Sequence, residues 1–516
     1  MSKNPKQSLY DRCLGGIERV GNALPHPVVL FALFTLAVIL ISALCDALNV
    51  SATGQLISDG RLTDTTVTVV SLLSREGLAY MFTGAVRNFT AYAPLGMVLV
   101  AMLGVGVAEQ SGMIDTLLKR LVSITPGKLL TPMLVFLGIM SNIASDAGYV
   151  ILLPLGALVF RACGRHPLAG LAAAFAGVSG GFSANLLIGT LDPLLAGITQ
   201  TAVSIIDPDY EVQVMGNYLF LSVSTFLITI LGTVVTNRVV EPRLGSYGGQ
   251  LTEEDPSLTV ITDLQRRGLR NAGISVLVYA ALIVAACLPD DSFFRNESGR
   301  LLGKTPLVDS IVVLIALLFF IPGAVYGRTV GTFQSSSDIA GAMGKAMSGM
   351  GSFLALAFVA AQFIRFFEYS RLGTIIALTG AEFFRSVNIG LISLMVIFVL
   401  FSAFLNLFMG SSSAKWNILA PVFVPMFMLL GYSPELCQLA YRIGDSCTNI
   451  ITPMMSYYAV IIMFVQKYDP KAGIGSLAAT MLPYSMAFLA GWTLLLILWL
   501  ALGLPIGIGT SLFYPA

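Results

Sequence analysis

The sequence predicts an all-α integral membrane fold with nine membrane-spanning helices and two re-entrant helical hairpins, arranged as an inverted repeat. Three observations predict it. Of 516 residues, 56% are hydrophobic and 11% charged, against about 25% charged in a soluble domain. The apolar residues come in runs of about 20, the length that crosses a hydrocarbon core. One sequence pattern also occurs twice at a constant offset of 267 residues.

The expected spans are 27–48, 92–112, 167–190, 215–237, 269–288, 306–326, 346–365, 434–465 and 478–503. Two further apolar stretches, 126–163 and 387–430, are each interrupted by a cluster of small polar residues, Ser141 to Asp146 and Gly410 to Lys415. Each half is too short for a comfortable crossing, so each stretch reads as two half-helices meeting at a polar tip. Such irregular backbone is tolerated at membrane depth only where protein or water satisfies it. Lys and Arg favour cytoplasmic loops. Lys119, Arg120 and Lys128, then Arg161 and Arg165, then Arg238, Arg243, Arg266, Arg267 and Arg270 share one face if the N-terminus is cytoplasmic and 126–163 enters and leaves on the same side. Arg61, Arg75, Arg87, Arg295, Arg300 and Lys304 fall on the other side. The segments 50–88 and 289–305 are outside excursions in this reading. The chain divides into a first half (1–238, spans 1–4 and the 126–163 hairpin), a cytoplasmic linker (239–268) and a second half (269–516, spans 5–9 and the 387–430 hairpin).

Residues 145–179 align without gaps to 412–446, with 11 of 35 positions identical where about three would match by chance. The matches include Ser145/Ser412, Pro154/Pro421, Phe160/Phe427, Gly164/Gly431, Pro167/Pro434 and Gly177/Gly444. By the charge count the two hairpins open on opposite faces. That is the inverted-repeat architecture of secondary transporters, whose broken helices meet at the midplane.

A hairpin tip presents unpaired N–H and C=O groups at membrane depth. Ser and Asn add neutral oxygens, which suit a hard monovalent cation. The candidate sodium ligands are Ser141, Asn142 and Ser145 facing Asn185 in the first half, and Ser411, Ser412 and Asn449 in the second, near Asn406 and Ser413. A bound Na+ is the one optional cofactor. Ionisable groups inside a membrane are costly and mark functional sites. Arg442 and Asp445 lie at i and i+3 on one helix face, a substrate-binding or proton-coupling pair or a structural ion pair. Asp192 reads as a coupling group or a turn residue, and Lys415 as a cation at a hairpin tip that occupies a cation site or points to water. Trp416 can stack on an aromatic ligand or plug the tip. Pro434 and Pro453 bracket the second broken span and free carbonyls for a hinge. His26 and His166, each followed by Pro, are interfacial helix caps, and the six scattered cysteines are apolar fillers. A net charge of +1 gives no case for nucleic-acid binding. Two histidines at helix starts give no converging metal set for an enzyme.

With these residues in view, the sequence resembles the AbgT family of p-aminobenzoyl-glutamate transporters, and within it the antimetabolite-exporting type. The resemblance runs nearly end to end. It is carried by Pro25-His26-Pro27, by Asn88 to Gly96, by Gly164 to Leu171, by Gly189 to Ile198 and by Tyr441-Arg442-Ile443-Gly444-Asp445-Ser446. It implies a homodimer in a bacterial inner membrane, no enzymatic activity, and proton- or sodium-linked carriage of a small-molecule substrate. The expected activity is proton-motive export of sulfonamides and p-aminobenzoate-like acids, the alternative coupled import of p-aminobenzoyl-glutamate or a related dicarboxylate. The positions that match the family's functional residues are Asp192, Asn406, Ser413, Trp416, Pro434, Arg442, Asp445 and Pro453. Lys415 departs from relatives, which carry an uncharged residue there.

Overall fold

The computed structural model describes residues 25, 27–58, 61–144, 147–247, 261–301, 305–455 and 457–514. The helices used below are α1 (Pro27–Ala47), α2 (Arg75–Thr90), α3 (Ala93–Gln110), α4 (Met113–Ser123), α5 (Leu130–Ser141), α6 (Ala147–Ala162), α7 (Pro167–Phe175), α8 (Leu191–Val203), α9 (Tyr218–Val235), α10 (Asp263–Cys287), α11 (Ile311–Val330), α12 (Ser336–Ser348), α13 (Gly351–Tyr369), α14 (Leu372–Ser386), α15 (Leu391–Asn406), α16 (Ser412–Leu429), α17 (Pro434–Asn449), α18 (Tyr458–Gln466) and α19 (Ile474–Ala501).

Among the described residues, seven helices are long and apolar enough to cross a bilayer, and they fall on seven of the expected spans. The other two segments are interrupted. In the first, α7 passes into a π-turn over Ala176–Gly180 and leaves helical form before α8. In the second, α17 ends at Asn449 and α18 begins at Tyr458. Both segments start with proline at the first helical position, where its missing N–H costs nothing. His166 caps α7 by accepting the Leu168 N–H at 3.3 Å, while His26 lies outside the described residues.

Each hairpin stretch is divided into two short helices near its polar cluster. The first is entered through a 117° bend between α4 and the helix ending at Ser141. Helix α5 then runs for 12 residues and α6 for 16, about 18 and 24 Å at 1.5 Å per residue, short of a 30 Å core. In the second stretch, Phe398 packs on Phe427 with ring centroids 5.2 Å apart and Phe401 on Phe423 at 5.5 Å. The rising number on α15 against the falling number on α16 makes these arms antiparallel.

Positions that match between the two stretches have the same local structure. Gly164 and Gly431 hold φ of +71° and +87°, and the next N–H in each case returns to a phenylalanine carbonyl, Arg165 to Phe160 and Tyr432 to Phe427, both at 2.9 Å. This is a helix end closed by a left-handed glycine. Gly177 and Gly444 make matching close approaches: a Cβ on Gly177 would lie 2.3 Å from the Val135 carbonyl of α5, and one on Gly444 2.3 Å from the Val399 carbonyl of α15. Each interrupted helix therefore rests, through its glycine, on the first arm of the hairpin before it.

Two expectations need correction. The 50–88 excursion contains an antiparallel two-stranded sheet, β1 (Ser51–Ser58) on β2 (Arg61–Thr68), followed by α2. The Thr- and Val-rich run 63–70 has the β-branched composition for strand pairing. The fifth span also begins earlier than 269. Thr262 and Gln265 form a capping box, so the basic residues Arg266, Arg267 and Arg270 ride on α10 itself. Elsewhere α3 and α11 cross closely because small residues face each other, Gly104 against Ala316 and Gly323 against Ala108.

Candidate functional site

Helix α17 is the centre of the site. Ser433 caps it by accepting the Leu436 N–H at 3.4 Å, and every one of its 16 residues is buried. It nevertheless carries a polar stripe, Glu435, Gln438, Arg442, Asp445 and Asn449, at spacings of 3, 4, 3 and 4. Those spacings place all five on one face of a helix with 3.6 residues per turn. A buried stripe of this kind must find partners on neighbouring elements, and it does.

Arg442 and Asp445 do not pair with each other. The Arg442 Nη1 donates to Asp192 Oδ1 at 2.7 Å, with the side chains 3% and 13% exposed. Asp192 also accepts the Gly189 N–H at 2.8 Å through Oδ2, in the first turn of α8, where the helix dipole favours negative charge. Asp445 pairs instead with Lys415 of the second hairpin, Nζ to Oδ1 at 2.5 Å, with the side chains 1% and 0% exposed. The reason is tertiary: an oppositely charged group from a neighbouring element stands beside each of them, Asp192 of α8 and Lys415 of α16. Lys415 does not point to water.

The second hairpin tip is knitted to the same helix. The Asn406 amide nitrogen donates to the Asp445 carbonyl at 2.5 Å, to Thr448 Oγ1 at 2.9 Å and to Asn449 Oδ1 at 2.9 Å, while its oxygen accepts from Lys415. Of the candidate sodium ligands here, Asn449 thus meets Asn406. Ser411 Oγ caps α16 through the Ala414 N–H at 3.3 Å, and Ser412 Oγ lies 3.3 Å from the Tyr441 hydroxyl. Ser411 and Ser413 line a cavity of about 480 Å³ with Phe408, Met409, Gly410 and Met454. A Cβ on Gly410 would lie 2.2 Å from the Met454 carbonyl, so the tip abuts the break between α17 and α18, which contains Pro453.

Trp416 is fully buried and stacks on Tyr441, with centroids 4.5 Å apart. Its Nε1–H donates to Thr199 Oγ1 at 2.9 Å, and Thr199 donates to Gln438 Oε1 at 2.5 Å. The chain continues from Gln438 to Asn217 Oδ1 at 2.9 Å, and from the Asn217 amide to the Glu435 carbonyl at 2.8 Å. Beside Pro434, the Glu435 carboxylate accepts from the Tyr210 hydroxyl at 3.0 Å.

The first hairpin contributes less to this network. Ser141 Oγ donates to the Gly138 carbonyl at 2.7 Å, and Asn142 Nδ2 to the Ile139 carbonyl at 3.1 Å. Asn185 Oδ1 is taken by the Leu187 N–H at 3.3 Å. Ser145 lies outside the described residues. The two breaks do meet: the Ser183 N–H donates to Ser446 Oγ at 3.1 Å, Ser179 Oγ lies 3.2 Å from the Met455 sulfur, and Arg442 Nη2 reaches the Ser183 carbonyl at 3.3 Å. Among the described residues, the Asn142 Oδ1, Ser183 Oγ, Ser402 Oγ, Arg442 Nε and Asp445 Oδ2 atoms are buried with no hydrogen-bond partner. Unspent polar atoms at the meeting point of two broken helices are what a ligand site needs. Sequence reasoning missed Thr199, Gln438, Asn217 and Tyr441. The 3–4 periodicity of the α17 stripe was the signal that could have found Gln438.

These features define a multi-pass membrane transporter, with its polar machinery enclosed by apolar helices. The chain belongs to the family described as "AbgT putative transporter family", which it matches over residues 12–514. It is 38% identical over 509 residues to the p-aminobenzoyl-glutamate transport protein of Escherichia coli (strain K12), covering 99% of this chain and 98% of that one. Among solved structures it resembles MtrF of Neisseria gonorrhoeae, described as illuminating a class of antimetabolite efflux pumps (TM-score 0.91, 47% identity, 97% of this chain and 100% of that one). It also resembles the YdaH transporter of Alcanivorax borkumensis, described as having an unusual topology (TM-score 0.88, 46% identity, 94% of this chain and 100% of that one). The family and these relatives are transporters rather than enzymes.

Proposed function

We propose that this transporter exports aromatic acid antimetabolites and folate-related compounds, sulfonamides and p-aminobenzoate-like acids, in exchange for protons. The observation that carries the reading is the pair of buried ion pairs, Arg442–Asp192 and Lys415–Asp445, beside the Trp416–Tyr441 stack. A p-aminobenzoate or sulfonamide molecule has an acidic group at one end, a flat ring, and an arylamine at the other. Arg442 takes the acidic group by charge-assisted hydrogen bonds, and the ring replaces one member of the aromatic stack. The arylamine donates to a carboxylate, Asp192 or Asp445, which accepts it more strongly when ionised than when protonated. Proton and substrate then compete for one carboxylate, which is the requirement for exchange rather than co-transport. Ser413 lines the cavity at the second hairpin tip, and Pro434 and Pro453 bound the helix that moves. In this reading the halves 1–238 and 269–516 are inverted relatives joined by the 239–268 linker, with the N-terminus and linker cytoplasmic. The protein works as a homodimer in a bacterial inner membrane.

The 47% identity to a protein described as an antimetabolite efflux pump supports this reading. Its test is uptake of a labelled sulfonamide by everted membrane vesicles energised to be acid inside. Uptake that collapses with a protonophore, and is lost in Arg442→Met and Asp192→Asn, is the expected result. The second reading is sodium- or proton-coupled import of p-aminobenzoyl-glutamate, favoured by the 38% identical Escherichia coli relative. Flux of that compound that follows an imposed sodium gradient and ignores the pH gradient would replace the first reading with the second.

A further inference from the structure

We propose that Lys415 is a tethered cation: its ammonium occupies the position of a monovalent metal ion at the second hairpin tip, so the wild-type protein binds no sodium ion there. Three observations carry this. The first is the donor set. The ammonium is held by Asp445 Oδ1 at 2.5 Å and by the Asn406 carbonyl oxygen, whose amide nitrogen is fixed behind it by Thr448 Oγ1 and Asn449 Oδ1 at 2.9 Å each. A carboxylate oxygen and a neutral amide oxygen are ligands that a hard monovalent ion also takes.

The second observation is that the site has more oxygen than an ammonium consumes. Asp445 Oδ2 is buried there without a partner among the described residues. The third is placement. Lys415 is the fourth residue of α16, in the first turn, where the helix dipole disfavours a positive charge. Helix stability therefore does not explain a lysine here, and Asp445 does. The matched position in the first hairpin, Gly148, has no room for a side chain: a Cβ there would lie 2.1 Å from Ser141 Oγ. The two tips are thus unequal, with a resident charge at one of them.

The consequence is specific. Replacing Lys415 with a small neutral residue leaves a buried anionic carboxylate among neutral oxygens, and sodium fills the gap. A ligand that binds only the folded state raises its melting temperature by mass action. The test uses full-length purified protein in detergent, melted in increasing sodium chloride against choline chloride at constant ionic strength. Lys415→Ala is expected to gain a sodium-specific rise in melting temperature that grows with the logarithm of concentration. The Lys415→Ala/Asp445→Asn double variant and the wild type are expected to show none. A Lys415→Ala protein as indifferent to sodium as the double variant overturns the proposal. If Lys415→Ala does not fold, hydrogen exchange of the 411–416 amides in the wild type decides: no difference between sodium and choline supports the proposal, and sodium-dependent protection overturns it. Neither readout uses cargo or direction, so failure here and failure of the export reading are separate results.

Discussion

Breaking the Arg442–Asp192 pair from each side should cost unequal amounts, and breaking it from both sides should cost less than either. Removing one partner of a buried ion pair typically costs about 3–5 kcal/mol, because the other charge is left uncompensated. Arg442→Met strands Asp192, which is 13% exposed and keeps the Gly189 N–H at 2.8 Å. Its cost belongs at the lower end, about 3 kcal/mol. Asp192→Asn strands a guanidinium only 3% exposed, whose Nε already lacks a partner among the described residues and whose remaining contact is the Ser183 carbonyl at 3.3 Å. Its cost belongs at the upper end, about 5 kcal/mol. In Arg442→Met/Asp192→Asn no charge is stranded, so what remains is the lost hydrogen bonding, about 1–2 kcal/mol. The assay is unfolding of purified protein in mixed micelles by titrated sodium dodecyl sulfate, with all four proteins compared as a double-mutant cycle. If the double variant loses the sum of the two singles, the charges do not act as a unit and the reasoning about this site fails.

Three further outcomes follow from the same contacts. Thr199→Val keeps shape but leaves the buried Trp416 N–H without its acceptor at 2.9 Å; a loss of about 1–3 kcal/mol is expected by the same unfolding assay. Gly444→Ala and Gly177→Ala each drive a methyl to 2.3 Å from a backbone carbonyl of the adjoining hairpin arm, so both should lower the melting temperature in detergent through overpacking of about 1–3 kcal/mol or more, whereas Gly341→Ala, with nothing within 4 Å, should not. Arg165 grips Glu241 through two nitrogens at 2.9 and 2.5 Å with its guanidinium over Phe160. Arg165→Lys loses the fork and the stacking, and thermal melting should record a loss of about 1 kcal/mol, reduced by salt.

The spans, both hairpins and the interrupted segments were legible because each is a local property: a run of apolar residues, a polar cluster, a proline at a helix start. The matching local geometry at Gly164/Gly431 and Gly177/Gly444 was legible for the same reason, since these glycines recur in fixed register. The partners of the charged residues were not. Asp192 and Arg442 are 250 positions apart, and no periodicity links them. The local rule that places i and i+3 on one face set Arg442 beside Asp445, and it describes the stripe correctly but says nothing about which neighbour will claim each end of it. The β1–β2 hairpin escaped because a reading tuned to apolar runs of span length passes over an alternating Thr and Val segment.

The stripe on α17 serves two different bodies. From one edge Gln438 and Arg442 reach α8, through Thr199 and Asp192. From the other, Asp445 and Asn449 reach the second hairpin, through Lys415 and Asn406. Helix α8 and the hairpin also touch directly, Trp416 to Thr199. The three elements therefore close a triangle in which every edge is a buried hydrogen bond or ion pair. A buried polar group that loses its partner must find another or be stranded at a cost, so opening any one edge of such a triangle carries a penalty. Arg442 and Asp445 stand one turn apart on the same helix, so the Arg442–Asp192 and Lys415–Asp445 pairs are joined through α17 itself.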